Sequence, residues 1–127
     1  MNKKVINEQM QIAYEALTEA KIANAAGQIE KTYRGQISSF GAAVTMGSLM
    51  PAIAFFSKDA KSRQKEGSDV QRSKLMDAVL IVLKKAGKTN ANSLFDYVKG
   101  QKEGVAKEDI INAAIALKLA MNLYILV

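Results

Sequence analysis

Apolar residues recur at Ile6, Met10, Ala13, Leu17 and Ala20, a four-three-four-three spacing that lays one stripe along a helix. Alanine-rich sequence carries this helix on through Ala23, Ala25 and Ala26 to Gly27, which the pattern marks as a break or a close-packing point. From Ile29 to Phe56 the chain is dense in small and apolar residues, and it reads as two helices. Gly47 ends the first of them. Ser48 stands as the N-cap of the second, Leu49 to Phe56, with Pro51 inside its first turn. A polar run, residues 57–69, follows as an exposed connection. Ser68 with Gln71 three positions later forms a capping-box signature, and Leu75, Val79, Val82 or Leu83, and Ala86 give the next stripe, closed by Gly87. Lys84 and Lys85 suit its last turn. Ser93 and Asp96 repeat the capping box before a short helix ending at Gly100. Glu108 and Asp109 then open a final helix with the face Ile110, Ala114, Leu117, Met121 and Tyr124. No segment alternates with a period of two, so no strand is predicted. The expected architecture is all-α, a compact bundle of about six helices forming a single domain over residues 1–127.

Composition narrows the chemistry. A chain of 127 residues can bury roughly two-thirds of the surface its unfolded form exposes, enough for a core without staples. The chain has neither Cys nor His, which excludes thiolate nucleophiles, imidazole bases, zinc sites of Cys and His, and Ser-His-Asp triads. No catalytic residue, no metal site, no cofactor and no small-molecule substrate is expected. The opening Met1-Asn2-Lys3-Lys4 leads into charged amphipathic sequence, as an unsecreted, cytoplasmic protein would. The apolar stretches Phe40–Phe56 and Ile110–Val127 are crossed by polar residues and read as buried helices, with no membrane partner.

The net charge of +6 points toward a polyanionic partner, and the surplus is local: residues 36–87 hold eight basic and four acidic side chains. Arg34, Lys58, Lys61, Arg63, Arg72 and Lys74 flank the turns around the two most apolar helices and are the candidate phosphate contacts. Among the aromatic residues, Tyr33 and one of the pair Phe55 and Phe56 are the candidates for exposed base stacking. Gly35, Gly41 and Gly47 match no phosphate-binding loop and read as points of close helix approach. Ser93 to Leu119 superficially suggests a helix-turn-helix DNA regulator, yet Lys107 is followed at once by Glu108 and Asp109, which phosphates repel. A helical protein–protein adaptor is the other competing class.

The stretch from Tyr33 to Phe56 resembles the signature of the Cmr small-subunit family of type III-B CRISPR effector complexes. In that family a Tyr on a first long helix precedes a packed helix ending at Gly, then a Leu, a small residue and aromatics. Here those places hold Tyr33, Phe40, Gly47, Leu49, Ala52 and Phe55. The order of elements around them fits across nearly the whole chain, although Met50 and Pro51 stand where ordinary helix formers would be anticipated. The resemblance implies a non-catalytic subunit that stacks with copies of itself beside other Cmr subunits, next to guide RNA and target RNA, in antiviral defence. Base pairing would then read sequence, and the subunit would need phosphate contacts but no base code.

Overall fold

The computed structural model of the chain describes residues 1–58 and 71–127. Among these residues the chain forms helices α1 (Lys3–Glu19), α2 (Lys31–Met46), α3 (Leu49–Phe56), α4 (Ser73–Lys85), α5 (Leu94–Lys99) and α6 (Glu103–Met121). Two short strands, β1 (Gln28–Ile29) and β2 (Ile125–Leu126), accompany them. The all-α expectation of about six helices holds.

The first stripe works as its spacing demands: Ile6, Ala13, Leu17 and Ala20 are buried. They pack chiefly on α6, whose Ile110, Ala114, Leu117 and Met121 are buried in turn. Two cross-links set α1 and α6 side by side in parallel. The Asn2 backbone N–H, at the start of α1, donates to Asn112 Oδ1 at 2.9 Å midway along α6, and Thr18 Oγ1, near the end of α1, lies 3.0 Å from the Tyr124 hydroxyl just past the end of α6. Asn112 is a polar residue in the core, and that bond satisfies its buried oxygen. Helix α2 packs on the same α6, while α4 touches both α1 and α6.

Helix ends follow the glycine and cap signals unevenly. Ser93 caps α5, its Oγ accepting the Asp96 N–H at 3.0 Å. Ser48 occupies the N-cap of α3 in extended backbone, but its hydroxyl makes no capping bond. Gly47 ends α2 at a close approach, since a Cβ there would lie 2.9 Å from the Ala43 carbonyl oxygen. At Gly35 and Gly41, by contrast, a Cβ would meet nothing within 4 Å, so these are not points of tight helix contact. The Ser68 of the expected capping box lies outside the described residues, and α4 begins at Ser73.

Three boundaries differ from the sequence reading. Helix α1 stops at Glu19 and does not run to Gly27, because Ile22 and Ala23 turn inward and both backbone N–H groups bond the Leu17 carbonyl at 3.0 Å. Helix α6 begins at Glu103, well before Glu108, its early turn anchored by the fully buried Ala106. Finally, β1 and β2 pair in parallel, Gln28 with Ile125 and Ile29 with Leu126. Gly27, at φ +74°, turns the chain into this pairing, and its carbonyl accepts the Ile125 N–H at 2.9 Å. Two-residue strands are too short to show an alternating pattern.

Candidate nucleic-acid interface

Four elements converge where α2 and α4 begin. Tyr33, in the first turn of α2, is buried, and its hydroxyl accepts the backbone N–H of Gln71 at 3.0 Å. The sequence reading held Tyr33 as a candidate for exposed stacking. The structure corrects this: a helix start carrying a stripe of Tyr33, Ile37 and Phe40 turns the ring inward. Its bond to Gln71 also ties Arg34, the next residue on α2, to Arg72, the residue after Gln71.

Arg34 donates from Nε to Asn122 Oδ1 at 3.0 Å, at the C-terminal end of α6. Arg72 donates from Nε to the Phe55 carbonyl at 3.1 Å and lays its guanidinium carbon 4.2 Å from the centroid of the Phe55 ring. Phe55 is the exposed member of the aromatic pair, 59% accessible, whereas Phe56 is buried and meets Phe40 edge-on at 5.3 Å. Lys74 reaches back from Nζ to the Lys21 carbonyl at 3.3 Å. Lys58 is exposed just past the end of α3. Lys61 and Arg63 lie outside the described residues.

The two arginines of this region are oriented by hydrogen bonds and not by ion pairs. Arg34 and Arg72 are held by neutral oxygens, and none of the ion pairs among the described residues engages either. Two lysines and the N-terminus elsewhere do carry a carboxylate. Lys85 pairs with Glu19 and lies 3.9 Å from Glu15, and the hydrogen bond to Glu19 holds its pKa above the ordinary value. Lys99 meets Asp96 at 3.3 Å, and the Met1 ammonium meets Glu108 at 3.1 Å. The convergence thus holds two guanidinium groups in fixed orientations through neutral acceptors.

Lys21 belongs to the same neighbourhood and was missed by the sequence reading. It stands in the left-handed region at φ 62°, a conformation that no sequence signal marks for a lysine.

The structure also bears on the helix-turn-helix comparison. Helix α6 packs against α1, α2, α4 and α5, and the side it leaves partly open carries Lys107, Glu108, Ile111, Ile115, Lys118 and Leu119. That face mixes apolar residues with both signs of charge, and is not the predominantly polar and basic set that reads base edges. Among the described residues no group of three Asp or Glu could hold a metal ion, and no helix is long and apolar enough to cross a membrane.

A comparison with protein families decides the affiliation. The family model described as CRISPR-associated protein (Cas_Cmr5) matches residues 6–121. The chain belongs to the Cas_Cmr5 family. Membership makes it a CRISPR-associated subunit of a Cmr-type complex, as the resemblance over residues 33–56 implied. No curated protein and no solved structure matches the chain. Seen on the fold, the Cas_Cmr5 resemblance rests mainly on core: Phe40, Leu49 and Ala52 are buried, and Gly47 is the one glycine of its series that a side chain could not replace without displacing backbone. Tyr33 sits on the same helix as Phe40 and not on a preceding one. Of the side chains in that set only that of Phe55 is exposed, and it is the one Arg72 covers.

Proposed function

We propose that this chain is the non-catalytic small subunit of a type III-B Cmr ribonucleoprotein, a single helical domain that stacks with copies of itself in the cytoplasm and contacts the backbones of guide RNA and target RNA. The phosphate contacts are assigned to Arg34, Lys58, Lys61, Arg63, Arg72 and Lys74, with Lys21 added from its place beside Lys74. The observation that carries the reading is the juxtaposition of Arg34 and Arg72, each fixed by neutral oxygens and linked through the Tyr33–Gln71 bond. Phosphates are met by cations oriented in advance, and a subunit in this role needs no base code because pairing supplies sequence. Family membership supports the association with other Cmr subunits.

Affinity purification of the tagged chain from its native cells, with mass spectrometry of the bound proteins and sequencing of co-purified small RNA, tests the reading. It predicts recovery of the remaining Cmr subunits together with repeat-derived guide RNA. Recovery of a lone homodimer, or of genomic DNA enriched for one site, overturns it.

A further inference from the structure

Helix α6 packs against α1 and against α2, and each pairing leaves a cleft. The cleft between α2 and α6, about 400 Å³, is lined chiefly by Ile37 and Ala42 from α2 and by Ile111 and Ile115 from α6. The cleft between α1 and α6, about 510 Å³, is lined chiefly by Ile6 and Met10 from α1 and by Ile115 and Leu119 from α6. Ile115 belongs to both, so the two form one apolar face with the α6 ridge of Ile111, Ile115 and Leu119 between them. Met46 stands at the first cleft, 86% exposed, and Leu119 on the ridge is 44% exposed. None of the described phosphate-contact candidates lines either cleft, so this face is separate from the proposed RNA contacts.

Contiguous exposed apolar patches on soluble proteins mark sites of interaction, and charge selects the partner here. Lys118 lines the first cleft and Lys3 the second, no acidic residue lines either, and no ion pair among the described residues engages either lysine. Glu108, a carboxylate on the open side of α6, is engaged by the Met1 ammonium at 3.1 Å. A second copy pressing the same face onto this one would set lysines against lysines, which disfavours that pairing. Neither cleft is lined by an aromatic ring on which a base could stack. An amphipathic helix fits both features: its apolar side chains at i, i+3, i+4 and i+7 enter the clefts beside the ridge, and carboxylates on its flanks meet Lys3 and Lys118. The thioethers of Met10 and Met46 are flexible enough to repack around such a guest. We infer that the face formed by α1, α6 and α2 receives an acidic amphipathic helix from a different subunit of the complex. The source of that helix rests on the Cmr-subunit reading above, whereas the binding chemistry is tested without it.

The test titrates the full chain at low salt with two labelled helical peptides that share leucines at i, i+3, i+4 and i+7 and carry glutamate or lysine at the flanking positions. The glutamate peptide is expected to bind roughly 5- to 30-fold more tightly than the lysine peptide, as ion pairs to two exposed lysines allow. Lys118→Glu should narrow that ratio by weakening the first peptide and tightening the second, a crossover that unfolding cannot produce. Gly41→Leu should weaken both peptides several-fold, because Gly41 lines the α2–α6 cleft and a Cβ there meets nothing within 4 Å. Leucine in place of a mid-helix glycine also favours α2, so that loss would not come from a damaged fold. Equal affinity for the two peptides, or binding that Gly41→Leu leaves unchanged, overturns the inference. In complexes purified with Leu119→p-benzoylphenylalanine, the photo-adduct is expected on an acidic helix of a different Cmr subunit, and an adduct on a second copy or on RNA overturns it. Peptide discrimination with no Cmr subunit recovered removes the named source alone, whereas loss of discrimination in a chain that still recovers Cmr subunits removes the docking face alone.

Discussion

Two sets of cations in this molecule are treated in opposite ways. On the flank where α1 meets α4, Lys85 is neutralised by Glu19 with Glu15 nearby, an arrangement of exposed side chains that stabilises little and offers nothing to an anion. Where α2 and α4 begin, Arg34 and Arg72 use donors on an amide oxygen and a backbone carbonyl, which fixes their position without cancelling their charge. The difference teaches that basic residue counts alone locate no binding surface. Under the proposed function, what marks one is the orientation of cations that pair with no carboxylate among the described residues.

The sharpest way to break the comparison is to reverse one cation of each kind. Arg72→Glu should weaken RNA binding by the assembled complex about tenfold, whereas Lys85→Glu should change it less than about twofold, because its charge is already matched. Electrophoretic or anisotropy titrations with a guide-loaded complex check this. Equal losses at both sites would mean that net charge, and not the arrangement, governs binding.

The tie between the two arginines comes next in size. Tyr33→Phe removes the acceptor of the Gln71 N–H in a part-buried bond and should cost about 1 kcal/mol in denaturant unfolding, with a smaller loss of RNA affinity as Arg34 and Arg72 lose their fixed relation. A loss of RNA affinity with no change in stability would contradict that structural role.

Tyr97 offers a control remote from the basic region. It is buried and donates to Asp109 Oδ2 at 2.7 Å, and burial together with that carboxylate pushes its pKa above the ordinary 10.0. The folded chain therefore keeps a proton that an unfolded tyrosine releases. The stabilisation is complete below about pH 10 and is lost as the pH climbs beyond that value. Chemical denaturation of Tyr97→Phe should show a flatter decline above about pH 10 than the unaltered chain, with RNA affinity at neutral pH unchanged.

The smallest effects sit at two helix ends that share one geometry, and they show what the sequence can disclose. At the end of α4, the N–H of Gly87 bonds the Lys84 carbonyl and that of Lys88 bonds the Leu83 carbonyl, with Gly87 at φ +76°. At the end of α1, Lys21 and Ile22 make the same pair of bonds to Thr18 and Leu17, with Lys21 at φ 62°. The first end was legible because glycine is the residue that accepts this conformation without strain. The second was not, since tertiary burial of Ile22 and Ala23 forces the turn on a residue that gives no sign of it. Lys21→Gly should therefore stabilise by roughly 0.5–1 kcal/mol, and Gly87→Ala should destabilise by about 1 kcal/mol, both read from thermal or denaturant unfolding.

The same division runs through the site. Periodicity placed the helical faces correctly because burial of one stripe is a local property of each helix. The basic cluster was legible as composition, but not its internal order: that Tyr33 points inward, that Phe55 and not Phe56 is exposed, and that Lys21 lies beside Lys74 all depend on contacts between segments far apart in the chain. The short β1–β2 pairing escaped for the same reason, being two residues on each side and separated by most of the sequence.

The central claim is that Arg34 and Arg72 each meet a phosphate. It is tested most directly by the dependence of RNA affinity on salt, measured for complexes reconstituted with the unaltered chain and with the Arg34→Glu, Arg72→Glu double variant. Two lost contacts predict a log–log slope shallower by roughly 1.4, at about 0.7 per contact for single strands. An unchanged slope, with the complex still assembled, would contradict the account.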